Sequence, residues 1–522
     1  MTEPLTTAQK TAHLFSFDEF IRYWANDRPE RLAMEGDDFA LTYGELEEMT
    51  ARVAGGLAEK GLVKGDRIVW FGKNSATYFT LFFAAARAGI VMSPVGWRLA
   101  EPEAAWIIAN SDAKMLFLGD GFEACRATLG SGMTHCMTAA EARDWMKELP
   151  RADIAPAGPD DAVLQLYTSG TTGNPKGAVL SNRNLFGLRK ANLVDPQPYN
   201  AWSDDEAVLV AMPCAHIAGT GNGIVALASG LPAIILTEFE PSRVFDAIEN
   251  RGVTRFFAVP AALQLLLSHP DCATTDFSRL KYVSYGASPI PLELLRECLK
   301  MFGAGFIQNY GMTETTGTIC VLPPEDHSPD GNERMRSAGK PVSGVEIEIR
   351  DEQGKALGVR EIGEIVTRSP ANMLAYWKLP EATASTMSAD GWIATGDAGY
   401  LDEDGYLYIH DRMKDMIITG GENVYPAQVE SAIYGHPDVH EVAVIGVPDE
   451  KWGEAVKAIC APKPGHTIDP ASVIAWTRER LASFKVPKSV DIIDVLPRNP
   501  SGKILRRLLR EPYWAGRERQ VN

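Results

Sequence analysis

The stretch YTSGTTGNPKG, residues 167–177, gathers Thr168, Ser169, Thr171 and Thr172 around three glycines and one lysine. Such a composition suits anions. Glycine permits the backbone angles that turn successive N–H groups into one concavity, and the hydroxyls add further donors. Lys176 supplies a compact positive charge, while Pro175 restricts the loop. Phosphate oxygens would fit, although a surface turn rich in serine and threonine is the competing reading. The order differs from the G-x-x-x-x-G-K-[ST] phosphate loop, because Pro175 precedes Lys176 and Gly177 follows it. No G-x-G-x-x-G follows an expected strand, and YVSYG at 282–286 has Tyr282 where a G-x-S-x-G turn needs glycine. Dehydrogenase and serine-hydrolase readings therefore lose their usual support. A second basic group, Lys485, Lys488, Arg498, Lys503, Arg506, Arg507 and Arg510, crowds the end of the chain. It could bind a phosphorylated small molecule or form a solvated helix face.

The whole chain narrows these options. With 522 residues it exceeds one hydrophobic core, and 45% hydrophobic and 23% charged residues describe an ordinary globular protein. A net charge of −17 repels nucleic acid and anionic lipid, so neither is expected as the main partner. The seven cysteines (125, 136, 214, 272, 298, 320 and 460) are scattered and never spaced as a metal pair. That pattern suggests neither a disulfide framework nor a zinc site, and it fits a reducing compartment. The N-terminus lacks the basic start and apolar core of a secretory signal, and Arg87 and Arg98 interrupt the longest apolar stretch. A cytoplasmic location is expected.

These residues need a frame. Thr42 and Glu45 predict a capping box opening a helix whose buried stripe is Leu46, Met49, Val53 and Leu57. Short apolar runs, RIVWFG, MLFLGD, AVLQLYTSG, AIILTEF, TRFFAVP, KYVSYG and FIQNYG, alternate with helical segments and predict an α/β architecture with largely parallel, doubly covered sheets. After about residue 340, VEIEIRD, GEIVTRS and GYLYIHD switch to period-two alternation, as in an exposed antiparallel sheet or small barrel. From about 412 a small α+β unit is expected, with a helix from Pro426, strands EVAVIGV and VKAICAP, and a helix capped by Asp469.

Taken with NYGMTE at 309–314, TGD at 395–397, DRMKDMIITGGENVYP at 411–426 and PRNPSGKILR at 497–506, the loop resembles the adenylate-forming superfamily of acyl-CoA synthetases, nonribosomal adenylation domains and luciferases. The resemblance spans nearly the whole chain. It implies an α/β large N-terminal domain (1–411) of two doubly covered sheets plus a small β-barrel-like subdomain, followed by a small mobile α+β C-terminal domain (412–522). It also implies an AMP-forming acid:CoA ligase using ATP, Mg²⁺ and coenzyme A, which makes an acyl-adenylate and then a thioester.

By that resemblance Thr168, Ser169, Gly170, Thr171, Thr172, Gly173 and Lys176 would cradle the β- and γ-phosphates. Tyr310, flanked by Asn309 and Gly311, would stack on adenine; Thr313 would bond the α-phosphate, and Glu314 with Thr171 would serve Mg²⁺. Gly286, Ala287 and Ser288 would pass between adenine and acyl group, and Asp397 would accept the ribose hydroxyls. Arg412 would contact ribose or phosphate, although Asp411 stands where the family commonly has glycine. His216 would lie beside the acyl carboxylate, and Lys503 would serve adenylation alone. A hinge at Lys414 would bring Gly420, Gly421 and Glu422 in for the second step. Taken alone, Tyr310 also reads as a core aromatic, Glu314 as a surface carboxylate, 285–289 as a tight turn and His216 as a core histidine.

An acidic residue commonly follows the histidine segment in amino-acid adenylation domains, whereas Ile217 stands here, and no carrier domain is expected after residue 522. A silent nucleotide-binding scaffold would need neither Lys176 nor Lys503. The acid is expected to be a medium- or long-chain fatty acid, on the strength of VGWRLA at 95–100 and of Ala218, Gly219, Gly221 and Gly223 as pocket-forming residues. Close helix packing is the other use for those small residues, and an aryl, phenylpropanoid or steroid side-chain acid is the alternative substrate. A homodimer is the commonest assembly to expect.

Overall fold

The computed structural model describes residues 6–168, 174–412, 415–420, 422–498 and 504–515, with backbone alone at Thr7, Ala8, Asn192, Asp411, Arg412 and Asn423. Among the described residues the strands form sheets of nine, seven, four and five members. The nine-stranded sheet runs in the spatial order Lys340–Pro341, Cys320–Leu322, Gly305–Tyr310, Tyr282–Gly286, Arg255–Ala258, Val208–Val210, Ala233–Ile235, Leu32–Glu35, Ala40–Thr42. The seven-stranded sheet runs Ala375–Tyr376, Lys176–Ser181, Ala162–Thr168, Val91–Val95, Arg67–Phe71, Ala113–Leu118, His135–Thr138. Both are parallel in the middle and antiparallel toward an edge, as the alternation of apolar runs and helices requires.

Both faces of each large sheet are covered. The main core lies between the sheets, where helices Phe17–Asp27, Tyr43–Glu59 and Ala76–Arg87 bring Phe17, Phe20, Trp24, Phe79 and Phe82 against Ile68, Leu164 and Ile235. The predicted box forms: Thr42 accepts from Glu45 N, Glu45 accepts from Thr42 N at 2.8 Å, and Leu46, Val53 and Leu57 are buried. Every residue of Ala76–Arg87 is buried, and Arg87 at its end is fully enclosed. Its guanidinium donates to Asp18 at 2.8 Å, Thr50 at 2.8 Å and the Glu47 carbonyl at 3.0 Å, so one charge ties three helices together. A separate core fills the outer side of the nine-stranded sheet, and another the outer side of the seven-stranded one.

The antiparallel unit expected after residue 340 is a four-stranded sheet ordered Glu346–Arg350, Gly363–Arg368, Trp392–Leu401, Leu407–Arg412. The last strand carries on through Arg412. The small domain is built on strands Ile417–Thr419, Glu422–Val424, Val439–Asp449, Gly453–Pro462 and Ser489–Ile492, covered by helices Pro426–Tyr434, Pro470–Arg478 and Arg506–Trp514. The basic group at the end of the chain divides where it is described: Lys488 and Arg507 are exposed, while three arginines are paired with carboxylates. Arg498 pairs with Glu441 at 2.5 Å, Arg506 with Glu430 at 2.7 Å and Arg510 with Asp415 at 2.9 Å. Arg506 and Arg510 fasten the last helix to its own domain. Arg498 and Ile504 form an antiparallel bridge.

One half-buried histidine sets the spacing of two strands that carry motif residues. His327 Nδ1 lies 2.8 Å from the Pro323 carbonyl, which can only accept, so Nδ1 carries the proton, and Nε2 lies 3.0 Å from the Tyr285 hydroxyl. That hydroxyl donates to Gln308 Oε1 at 3.0 Å on the neighbouring strand. Burial pushes the imidazole pKa down to about 4. Because the folded value lies below the unfolded one of about 6.5, the unfolded chain binds the proton first and stability falls as pH drops from about 6.5 toward 4. Chemical denaturation of wild type and His327→Gln across that range should show wild type losing up to about 3 kcal/mol relative to the variant. A difference that stays constant with pH would contradict a neutral, half-buried His327.

Candidate active site

Parallel strands deliver the motif residues at their carboxyl ends, where open α/β sheets leave a crevice. Ala162–Thr168 ends at the glycine-rich loop, Tyr282–Gly286 at Gly286, and Gly305–Tyr310 at the NYGMTE segment. Of the loop itself, Thr168 and Lys176 are described and face each other across the antiparallel pairing of their strands. Ser169, Gly170, Thr171, Thr172 and Gly173 lie outside the described residues. After Tyr310 the chain turns through a short helical turn, Thr313–Thr315, and Thr316 takes the left-handed backbone conformation. This turn buries Glu314, which is 4% exposed. Its carboxylate accepts from Thr168 at 3.3 Å and from Tyr376 at 2.6 Å. The reading of Glu314 as a plain surface carboxylate fails on that burial.

Tyr376 was not singled out by the sequence. It sits on the two-residue edge strand Ala375–Tyr376, paired with Ala178 and Val179 of the strand that begins with Lys176. The Lys176 ammonium lies over its ring, 5.1 Å from the centroid. Trp377 anchors the same edge: its backbone N donates to Gly177 at 2.7 Å, its indole N to Asn110 at 3.0 Å, and Arg67 stacks on its ring at 3.3 Å. Two hydroxyls, those of Thr168 and Tyr376, thus meet on the buried Glu314 carboxylate, and the Lys176 cation lies over the ring of one of them. Hard oxygen donors of this kind, one carboxylate beside hydroxyls, suit Mg²⁺, which is held by few protein oxygens plus phosphates.

A second group gathers around Asp397, which is 7% exposed and accepts from the Tyr310 hydroxyl at 2.7 Å. Asp397 faces Arg412 directly across the antiparallel pair Trp392–Leu401 and Leu407–Arg412, while the arginine's side chain lies outside the description. Glu364, also unanticipated, accepts from the Gly396 N–H at 3.1 Å; burial raises its pKa, the N–H opposes this and the Asp397 charge adds to it. Asp397 N in turn donates to Thr395 Oγ1 at 3.1 Å, so the TGD turn is fixed at three successive residues. Beside Tyr310, Gly286 lets the Asn309 carbonyl approach so closely that a Cβ would collide with it. Ala287 follows in the left-handed region and is exposed with Ser288, a strained turn of the kind found at binding sites.

His216 forms the N-cap position of helix Ile217–Ser229, its carbonyl accepting from Gly219 at 3.0 Å and Thr220 at 3.2 Å. Ile217 packs 3.4 Å from where a side chain at Gly317 would begin, so this helix starts against the NYGMTE turn. Its small residues divide in use. Gly219 presses on the carbonyls of Met212 and Pro213 and Gly223 on the Phe79 ring, so these two serve close packing and not pocket volume. Gly221 meets only Ile217, at 3.9 Å, and remains on the open side. In the small domain, Gly420 and Glu422 belong to the turn that pairs Thr419 with Glu422, and Gly420 lies against Trp452, accepting no side chain there: a Cβ would sit 2.7 Å from the indole. Lys414, Gly421 and Lys503 lie outside the described residues. All seven cysteines are free thiols, and the described residues contain no His, Cys, Asp or Glu cluster able to hold a metal by itself. No helix among them is long and apolar enough to cross a membrane.

Comparison with known proteins meets the same architecture. Residues 21–377 match the AMP-binding enzyme family and residues 428–503 the AMP-binding enzyme C-terminal domain. The fatty acid–[acyl-carrier-protein] ligase ScoC of Streptomyces coeruleorubidus is 40% identical over 504 residues, covering 96% of this chain and 97% of its own. A feruloyl-CoA synthase of Amycolatopsis sp is 39% identical over 486 residues, covering 93% and 96%. The crystal structure of ATP-bound MatB from Rhodopseudomonas palustris superimposes with a TM-score of 0.86 at 32% identity, over 95% of this chain and 99% of that one. The Glu314 and Asp397 groups at the strand ends and these matches agree, and the chain belongs to the AMP-binding enzyme family as an AMP-forming acyl-CoA ligase.

Proposed function

We propose that the enzyme activates a medium- or long-chain fatty acid, with residues 1–411 holding ATP and acid and residues 412–522 moving between two half-reactions. In the first, a carboxylate oxygen of the acid attacks the α-phosphorus of ATP and pyrophosphate departs. In the second, the coenzyme A thiolate attacks the acyl carbon and AMP leaves with that oxygen. The observation that carries the site assignment is the linked cluster in which Thr168 and Tyr376 both donate to Glu314 and Lys176 lies over the Tyr376 ring. Lys176 and the 168–173 backbone would take the β- and γ-phosphates, and Tyr310 with Gly286 the adenine. Asp397 would accept the ribose hydroxyls, with Arg412 opposite, and Thr313 would donate to the α-phosphate. Bound Mg²⁺, held at Glu314 and Thr171, supplies charge neutralisation on the phosphate oxygens. Lys503 would meet the oxyanions formed during adenylation. Movement about Lys414 would then exchange it for Gly420, Gly421 and Glu422.

Support for an apolar acid comes from the open side of helix Ile217–Ser229, where Ile217 and Gly221 present hydrocarbon and space next to His216. Similarity to ScoC points the same way, and it favours a second reading of the acceptor, a carrier-protein thiol in place of coenzyme A. The feruloyl-CoA synthase relative keeps an aryl acid as the alternative. Seven free thiols support a cytoplasmic location, and a homodimer is expected on frequency alone. ATP–pyrophosphate exchange with fatty acids of graded length, ferulate and indoleacetate should be fastest with a fatty acid. Exchange that prefers an aryl acid would overturn that choice, and acyl transfer to a phosphopantetheinylated carrier but not to coenzyme A would replace the acceptor.

Lys503→Ala should slow adenylate formation by roughly 10²- to 10³-fold while sparing transfer from supplied acyl-adenylate to the thiol. Equal losses in both half-reactions would count against domain alternation. Glu314→Gln should raise the Mg²⁺ concentration for half-maximal pyrophosphate exchange by roughly 10- to 100-fold, and an unchanged titration would remove Glu314 from the metal site.

A further inference from the structure

Tyr376 occupies a place that the phosphate-binding reading leaves unexplained. It is buried, with 6% of its surface exposed, yet it is not a passive core ring. Its hydroxyl donates to Glu314 Oε1 at 2.6 Å, an oxygen that also accepts from Thr168 at 3.3 Å. Its ring face receives the Lys176 ammonium at 5.1 Å. One side chain therefore stands between a cation and an anion that would attract each other strongly in a water-poor crevice. If they met directly, each would have to be pulled from the other before serving phosphate or metal.

We propose that Tyr376 is a positioning residue that keeps Lys176 and Glu314 apart and aimed: its hydroxyl occupies Glu314 Oε1, leaving Oε2 for a cation, and its ring holds the lysine by a cation–π contact. The backbone supports this duty. Tyr376 N donates to Thr383 Oγ1 at 3.0 Å, Trp377 N to the Gly177 carbonyl at 2.7 Å, and Met373 N to the Glu314 carbonyl at 2.7 Å. The segment 373–377 thus touches both the Glu314 turn and the strand of Lys176, and the phenol cannot shift without moving one of them. The inference rests on the roles proposed above for Lys176 and Glu314 and adds a third residue that acts through them.

The test separates hydroxyl from ring. Tyr376→Phe keeps the ring and removes the hydroxyl, while Tyr376→Leu removes both. Mn²⁺ binding to the enzyme complexed with α,β-methylene-ATP, read by electron paramagnetic resonance, should weaken about tenfold in Tyr376→Phe, the loss expected for a hydrogen bond to a charged group. The dissociation constant of inorganic pyrophosphate should stay within twofold in that variant and rise several-fold only in Tyr376→Leu, which loses the cation–π contact. Combining Tyr376→Phe with Glu314→Gln should weaken Mn²⁺ no further than Glu314→Gln alone. Unchanged Mn²⁺ affinity in Tyr376→Phe beside a clear loss in Glu314→Gln would overturn the inference and leave the site assignment standing. Unchanged affinity in Glu314→Gln would defeat both. Additive losses in the double variant would show that Tyr376 does not act through Glu314.

Discussion

Opposite charges held apart by an aromatic ring are the constraint on which this site depends. Lys176 opens a strand and Glu314 sits on a helical turn, and the shortest way for each to satisfy its charge would be an ion pair. Tyr376 offers each a weaker partner, a ring face to one and a hydroxyl to the other. The arrangement exists because the edge strand Ala375–Tyr376 is clamped by backbone pairing and by the Arg67–Trp377 stack.

The rest of the large domain serves this geometry at a distance. The fully buried helix Ala76–Arg87 and two covered sheets fix where the strands end, and the Arg87 charge ties three helices behind them. The TGD turn belongs to the antiparallel sheet, yet Tyr310 reaches it with its hydroxyl, so the NYGMTE segment and the TGD turn are linked directly. His327 and Tyr285 hold the strands of Gly286 and Tyr310 in register from the other end.

Much of this was legible in the sequence where the signal was local. The capping box at Thr42 and Glu45, the apolar runs of the buried strands and the glycine-rich loop all express themselves within a few residues. What escaped depended on partners far along the chain. Tyr376 lies on a strand of two residues, too short for any period, and its partner Glu314 is 62 positions away. Val91–Val95 contains Pro94 and Ser93, which conceal a fully buried strand. The small residues after His216 suggested a pocket in part because Phe79, which fills the space at Gly223, belongs to another helix. The ion pairs of the terminal arginines were not legible because Glu430, Glu441 and Asp415 are remote in sequence.

The bridge between Arg498 and Ile504 has a mechanical result. Both stems of the intervening segment are riveted to the small domain, Arg498 through Glu441 and the following helix through Arg506 and Glu430. Each of these pairs joins an arginine to a different element, Arg498 to the strand Val439–Asp449 and Arg506 to the helix Pro426–Tyr434. Loss of either pair would leave the last helix tied to its sheet at one end alone, so the two pairs set how firmly that helix seats.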